Sequence, residues 1–352
     1  MKDKHINIAK DSYLLKQVYN EVEKKLKVDK KATTTLLIVK FVFYFSLVVL
    51  TYSAIYFSEH ASMVFTAYIL FGLLSVLLGF NFAHDFCHNT IFKNKKLNNF
   101  GFTFIYTLLG AHAGAWKFRH IHSHHYAPNV KDYDTDLEIT NLIRVEPTSP
   151  HKWFHKYQQF YAPFAYSTYS FYWVFVKDFV VYFTDNENPH NKKIQFHLSF
   201  WLQKLFYISY LLILPILFSN SSWLTVLSAF VVMHLIQSLF LLFTFFMTHH
   251  VEQTEYFNAD MDGYIQASWF TNQIKSSNDF HPFSQTANFI FGGFNNHVAH
   301  HLFPHINHVH YPALNKILYK ILKQYNIKPN TTTFFGGIVS HLKHLKTMSM
   351  QP

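Results

Sequence analysis

The sequence predicts an all-α integral membrane fold: four transmembrane helices in two hairpins, with a cytoplasmic helical cap that holds a histidine-rich site. Three observations predict it. Half of the 352 residues are apolar and 19% are aromatic, yet only 14% are charged, against about 25% in an ordinary soluble domain. Mean hydropathy is nevertheless barely positive, so a very apolar part and a polar part share one chain. Long apolar runs supply the first part, and three tight sets of histidines mark the second.

Residues 1–34 form a basic cytoplasmic arm, with nine lysines against five acids and no apolar run. They lack the short basic start, apolar centre and cleavage site of a secretory signal. Within the arm, Leu14, Leu15, Val18, Val22 and Leu26 recur at helical spacing. That pattern fits an amphipathic helix lying on the membrane, or a solvated arm. The main domain is expected over 35–328. Its first two spans are 35–57 and 61–83, each beyond the ~20 residues that cross a bilayer. Lys40 is the one charge in them, near an end where its side chain can snorkel. The second hairpin is 199–218, with Lys204 near its entry, and 223–248. Neither hairpin turn contains Lys or Arg, while the flanking arms are rich in lysine. By the positive-inside rule the turns face away from the cytoplasm and both termini face it. The net charge of +10 therefore points to a membrane surface and not to nucleic acid.

Residues 100–115 are apolar but too short to span, and predict a re-entrant or interfacial helix. The aromatic-dense stretch 157–183, broken by Lys177 and Asp178, predicts interfacial helices. Pro312 opens a last amphipathic helix with Leu314, Ile317, Leu318, Ile321 and Leu322 on one side and Lys316, Lys320 and Lys323 on the other. Such a helix suits anionic headgroups. The tail, 329–352, reads as polar. Cys87, the only cysteine, excludes an internal disulfide and fits a reducing compartment; small-residue packing is the preferred role for it.

The histidines carry the chemistry. His84 and His88 stand at i, i+4, as do His120 and His124, with His125 adjoining. His297, His300 and His301 stand at i, i+3 and i+4, so on a helix their rings project from one side. Gly292 and Gly293 loosen the backbone ahead of this set and Pro304 ends it. Two of the apolar runs end directly at histidines, at His84 and at His249. The hairpins thus deliver imidazoles to one face of the membrane. Imidazole suits Zn, Cu, Fe and Ni, so ligand type does not choose the metal. A structural zinc takes four ligands, and eight or nine imidazoles suffice for two ions. Two redox ions beside a membrane favour oxygen activation, because an alkane C–H bond has no acidity or leaving group for side-chain acids and bases to exploit.

HDFCH, HIHSHH and HVAHHLFP, in this order, resemble the three histidine boxes of the membrane fatty acid desaturases. The similarity is greatest to the acyl-lipid and linoleoyl-CoA-desaturase-like branch, over His84 to Ile321. It implies a non-haem di-iron centre, with O2 as co-substrate, that desaturates a fatty acyl lipid or acyl thioester. Carried over by motif, the ligands are His84, His88, His120, His124, His125, His297, His300 and His301. THHVEQTE resembles the family segment that adds His249, with His250 an extra residue read as interfacial. His122 is read as a surface residue. Asp85 and Glu252 are the candidates to support ligating imidazoles, out of a set of nearby acids that includes Asp132, Asp134 and Asp136. Asn295 and Asn296 are placed to orient the third box, and Trp116, Lys117 and Arg119 stand where an anionic headgroup would arrive.

The match has departures. Ile121 replaces the Asn that often follows the first His of the second box. His297 replaces the Gln usual in front-end desaturases, which argues against a Δ5 or Δ6 position. No HPGG stretch is present, so the resemblance implies electrons from a separate ferredoxin or cytochrome b5-type carrier. Two alternatives differ in what they require. A lipid, alkane or carotenoid hydroxylase would use the same cluster. A metal transporter would need ligands near the middle of its spans, where only His234 and Gln237 stand out.

Overall fold

The computed structural model describes residues 4–135, 137, 141–184 and 193–350. Asp136, one of the acids named above, lies outside them. The chain forms two compact units: a first of Met1–Lys30, Phe118–Ala162 and Phe243–Pro352, and a second of Lys31–Lys117 and Pro163–Leu242. Helices dominate both. Among the described residues the single sheet is a parallel pair, Asn278–Phe280 with Asn330–Thr332, Asn278 opposite Asn330.

Four helices are long and apolar enough to cross a membrane: Lys30–Phe57, Ala61–Cys87, Ile194–Phe218 and Trp223–His249. Each contains the run expected for it and lengthens it by a few residues. In lipid, every main-chain polar group must find a partner within the protein, and the second unit meets this with tyrosines. A π turn at Ser209–Ile213 disturbs the regular ladder of the third span. There the Tyr52 hydroxyl donates to Tyr210 O at 2.8 Å and the Tyr68 hydroxyl to Leu211 O at 2.6 Å.

Both span lysines differ from expectation. Lys40 does not snorkel outward; it is 1% exposed and within electrostatic reach of Asp85. Lys204 is buried too, with Nζ 2.6 Å from Asp178 and donating to Gly110 O and Val174 O at 2.7 Å. An ammonium in an apolar helix is costly unless paired, and an acid distant in sequence supplies each pairing. Residues 100–115 do not make one re-entrant helix. Helix Lys95–Leu109 stops at Gly110, whose φ of 75° is left-handed, and a new helix runs Ala113–Arg119. The aromatic stretch forms helices Gln158–Ser167, Tyr169–Tyr172 and Asp178–Thr184, with a π turn at Trp173–Lys177.

In the first unit the two amphipathic helices do not turn their apolar sides to lipid. Leu14, Val18 and Val22 of Ala9–Lys25 pack in one cluster with Leu314, Leu318, Ile321 and Leu322 of Tyr311–Gln324. An apolar stripe gains about 1.5–3 kcal/mol per buried large side chain against protein or lipid alike, so its period does not name the partner. The polar tail also differs: it contains a helix, Phe334–Met350, with His341, His344, Leu345 and Met348 buried. Its inward histidines are satisfied by carbonyls, His341 Nδ1 by His250 O and His344 Nε2 by Val145 O, both at 2.7 Å. Polar letters at inward positions hide the period of this helix.

Candidate metal centre

Each histidine set is aimed by a local irregularity. In the second span a π turn at Gly79–Ala83 directly precedes His84. A π turn inserts one residue per turn and rotates everything beyond it, and such turns gather at functional sites. His84 and His88 follow in the second unit, their ring centroids 5.1 Å apart. A second π turn, His120–His124, carries the second box. Its wide bond, His125 N–H to His120 O at 3.0 Å, sets His125 over His120. The third box begins after Gly292 and Gly293, whose φ values of 58° and 88° are left-handed. A Cβ on Gly293 would lie 2.6 Å from His308 Cβ, so the tight turn into helix His297–Leu302 requires glycine. His249 is the last residue of the fourth long helix.

Within the first unit these elements bring seven of the nine expected ligands together. His124, His249, His297 and His301 are buried with their ligand atoms within 4.8 Å of one another. The Nε2 of His297 is 2.6 Å from that of His249 and 3.2 Å from that of His301. His120, His125 and His300 form a neighbouring group, with His125 Nε2 3.1 Å from His120 Nε2 and 2.9 Å from His300 Nε2. The two groups adjoin, the rings of His125 and His301 stacking at 4.6 Å.

The partners of the other ring nitrogens decide what these contacts mean. His124 Nδ1 faces the Asp134 carboxylate at 3.2 Å, His249 Nδ1 faces Ser276 O at 2.9 Å, and His301 Nδ1 faces Gln273 Oε1 at 2.7 Å. All three partners are acceptors, so each Nδ1 carries the proton and each Nε2 presents a lone pair. His297 Nε2 has at most one proton to offer to the two lone pairs beside it. At least one of these lone pairs is therefore left without a donor, and a cation between the rings would satisfy it. The donor set fits a metal ion bound by neutral imidazole, with the outward N–H groups held as metal-ligating histidines hold them. Burial, with His125, His297, His249 and His124 around it, keeps His301 well below the ordinary imidazole value and so in its ligating form. Burial alone would raise Asp134; its contact with His124 and the N–H of Asn129 more than offset this and hold it below the ordinary carboxylate value.

The remaining candidates divide. His250 is buried, not interfacial, with Nδ1 2.8 Å from the Tyr256 hydroxyl. His122 is exposed. Glu252 supports no ligand: it is exposed and accepts from the Ser340 hydroxyl at 3.1 Å. Asp85 is buried beside Lys40 and within electrostatic reach of His88. Asn295 and Asn296 fix the entry to the third box by bonds to His281 O and Asn288 Oδ1. Asp134 was visible only as one of several acids. Gln273, Ser276 and Asn129, which donates to His249 O at 2.9 Å, carry no sequence signal, because neutral amides and main-chain carbonyls form no motif. His234 and Gln237 lie in a closed network with Ser170 and Tyr207.

The family model described as fatty acid desaturase matches residues 59–333. The chain is 30% identical over 291 residues to an acyl-lipid (8-3)-desaturase of Physcomitrium patens, covering 79% of this chain and 59% of the relative. It is 30% identical over 290 residues to an sn-1 linoleoyl-lipid 6-desaturase of Arthrospira platensis, covering 80% and 76%. A third relative, acyl-lipid (8-3)-desaturase B of Dictyostelium discoideum, is 30% identical over 305 residues, with 81% and 64% covered. The chain thus spans about three fifths of the length of the first and third relatives. With four helices fit to cross a membrane and the histidine groups, these matches carry one conclusion: the chain belongs to the fatty acid desaturase family.

Proposed function

We propose that this chain is an O2-dependent acyl desaturase in which nine of the 25 histidines hold two iron ions. His124, His249, His297 and His301 hold one ion. His120, His125 and His300 hold the other, completed by His84 and His88 from the end of the second span. The observation that carries the reading is the convergence of the Nε2 atoms of His249 and His301 on that of His297, which can donate to only one of them, as a bound cation would require. When bound, the two irons with O2, two electrons and two protons would supply an oxidant that takes one hydrogen from each of two adjacent methylenes, leaving a double bond and two waters. The protein's own share is orientation. Asp134, Gln273 and Ser276 O hold the Nδ1 protons so that every Nε2 faces inward, and Asp85 steadies the first box.

The substrate is an acyl group esterified in a membrane lipid, the class in the names of the first relatives. Electrons come from a separate ferredoxin or cytochrome b5-type carrier. The absence of Lys and Arg from both hairpin turns supports a cytoplasmic side for the histidines and both termini. The relatives are named for 6-, (8-3)- and Delta(5) positions, whereas His297 argues against a front-end position, so product analysis decides the regiochemistry. The test is expression in a host with simple lipids, with a reducing carrier supplied, followed by analysis of fatty acid methyl esters. A new double bond is expected. Unchanged lipids with iron-loaded, inserted protein would refute the reading, and hydroxylated products would replace it with a hydroxylase.

A further inference from the structure

Between helix Trp269–Lys275 and strand Asn278–Phe280 the chain runs through a polar stretch, NQIKSSND, at 272–279. Asn272, Gln273, Ser276, Ser277, Asn278 and Asp279 are all fully buried. Burying a polar group without a partner costs about 1–3 kcal/mol, so six in eight positions is a composition that burial alone disfavours. Most of their hydrogen bonds go to the ligand-bearing elements, while Gln273 Nε2, Ser277 Oγ and Asn278 Oδ1 have no hydrogen-bond partner among the described residues. Asn272 Nδ2 donates to Pro128 O at 2.8 Å, three residues beyond His125. Gln273 Oε1 accepts from His301 Nδ1 at 2.7 Å and Ser276 O from His249 Nδ1 at 2.9 Å. Asn278 Nδ2 donates to Met247 O at 2.8 Å, on the last turn before His249. Asp279 Oδ1 accepts the Val298 N–H at 2.8 Å, at the start of the third-box helix.

We propose that residues 272–279 are the frame that sets the metal centre, and that Gln273 is a positioning residue that fixes the orientation and donor strength of His301. The inference rests on the metal-centre reading above and extends it. One segment touches all three ligand-bearing stretches of the first unit, so it fixes their mutual register where each helix end alone would leave it free. It is itself braced, since the Asp11 carboxylate of the N-terminal helix accepts the Thr271 hydroxyl at 2.7 Å. Gln273 adds a chemical asymmetry. His124 hands its Nδ1 proton to a carboxylate, while His301, in the same group, hands its own to a neutral amide. A carboxylate draws that proton harder and makes the imidazole a stronger donor. Glutamine therefore holds His301 as the weaker donor while still fixing its tautomer.

The test uses the full chain, purified in detergent, stripped of metal and titrated anaerobically with Co(II), whose visible bands report the ligand field without turnover. Wild type is expected to take two ions. Gln273→Glu should keep both and shift the cobalt bands, because one imidazole becomes a stronger donor. Gln273→Leu should bind one of the two ions about 10- to 100-fold more weakly. Asp279→Asn, which keeps an acceptor for the Val298 N–H, should bind like wild type, and Asp279→Ala should bind more weakly. Should Gln273→Leu fail to fold, Gln273→Glu decides. Wild-type bands in Gln273→Glu, or wild-type affinity in Gln273→Leu, overturn the inference and leave the centre standing. A wild-type chain that takes up no metal overturns both.

Discussion

Two regions of this protein bury histidines away from water, and they do it in opposite ways. In the second unit His234 has a partner on each ring nitrogen: Nδ1 lies 2.8 Å from Ser170 Oγ and 3.2 Å from Gln237 Nε2, and Nε2 lies 2.9 Å from the Tyr207 hydroxyl. That ring is complete. In the first unit, His124, His249 and His301 satisfy Nδ1 with acceptors and then turn Nε2 toward one another. Those rings are complete only around a cation. Burial does not separate a ligand from a structural histidine, since both regions bury theirs almost fully. The second nitrogen does.

Mutations can break this contrast. The largest effect is expected for His301→Ala, which removes a ligand. Desaturation should fall by at least about 100-fold, more than loss of a ligand's supporting partner costs, and iron content should fall with it. Next comes Asp134→Asn, which leaves His124 in place but weakens the acceptor on its Nδ1. Iron affinity should drop about 10- to 100-fold, read by competition with a chelator. His234→Phe should move stability and not metal. It strands the Tyr207 hydroxyl, so unfolding should be easier by about 1–3 kcal/mol in a detergent melt, with iron content unchanged. Glu252→Gln sharpens the contrast from the other side. Its exposed carboxylate accepts from the Ser340 hydroxyl and lies within electrostatic reach of His344, so stability should stay within about 0.5 kcal/mol and iron content should not change.

What could be read from the sequence followed from periodicity. Run length gave the four apolar helices, and i, i+3 and i+4 spacing gave each histidine set a common face. The partners across space were not legible. Leu14 and Leu318 recur at the same spacing whether they meet lipid or each other, so a helix read as membrane-lying or a solvated arm and one read as membrane-lying in fact pack together. Lys40 and Lys204 looked like residues near an interface because Asp85 and Asp178 are distant in sequence. Gln273 and Ser276 were passed over for the same reason. An amide and a carbonyl become supports for a metal site only once the fold has brought them to His301 and His249. Glu252, next to the ligand helix in sequence, is the converse case, since proximity along the chain turned it outward.

The most direct measurement is the iron bound per chain after anaerobic loading, in wild type, His301→Ala and His234→Phe. Two ions in wild type, fewer in His301→Ala and two in His234→Phe is the predicted result. Two ions retained by His301→Ala, or none held by wild type, would contradict it.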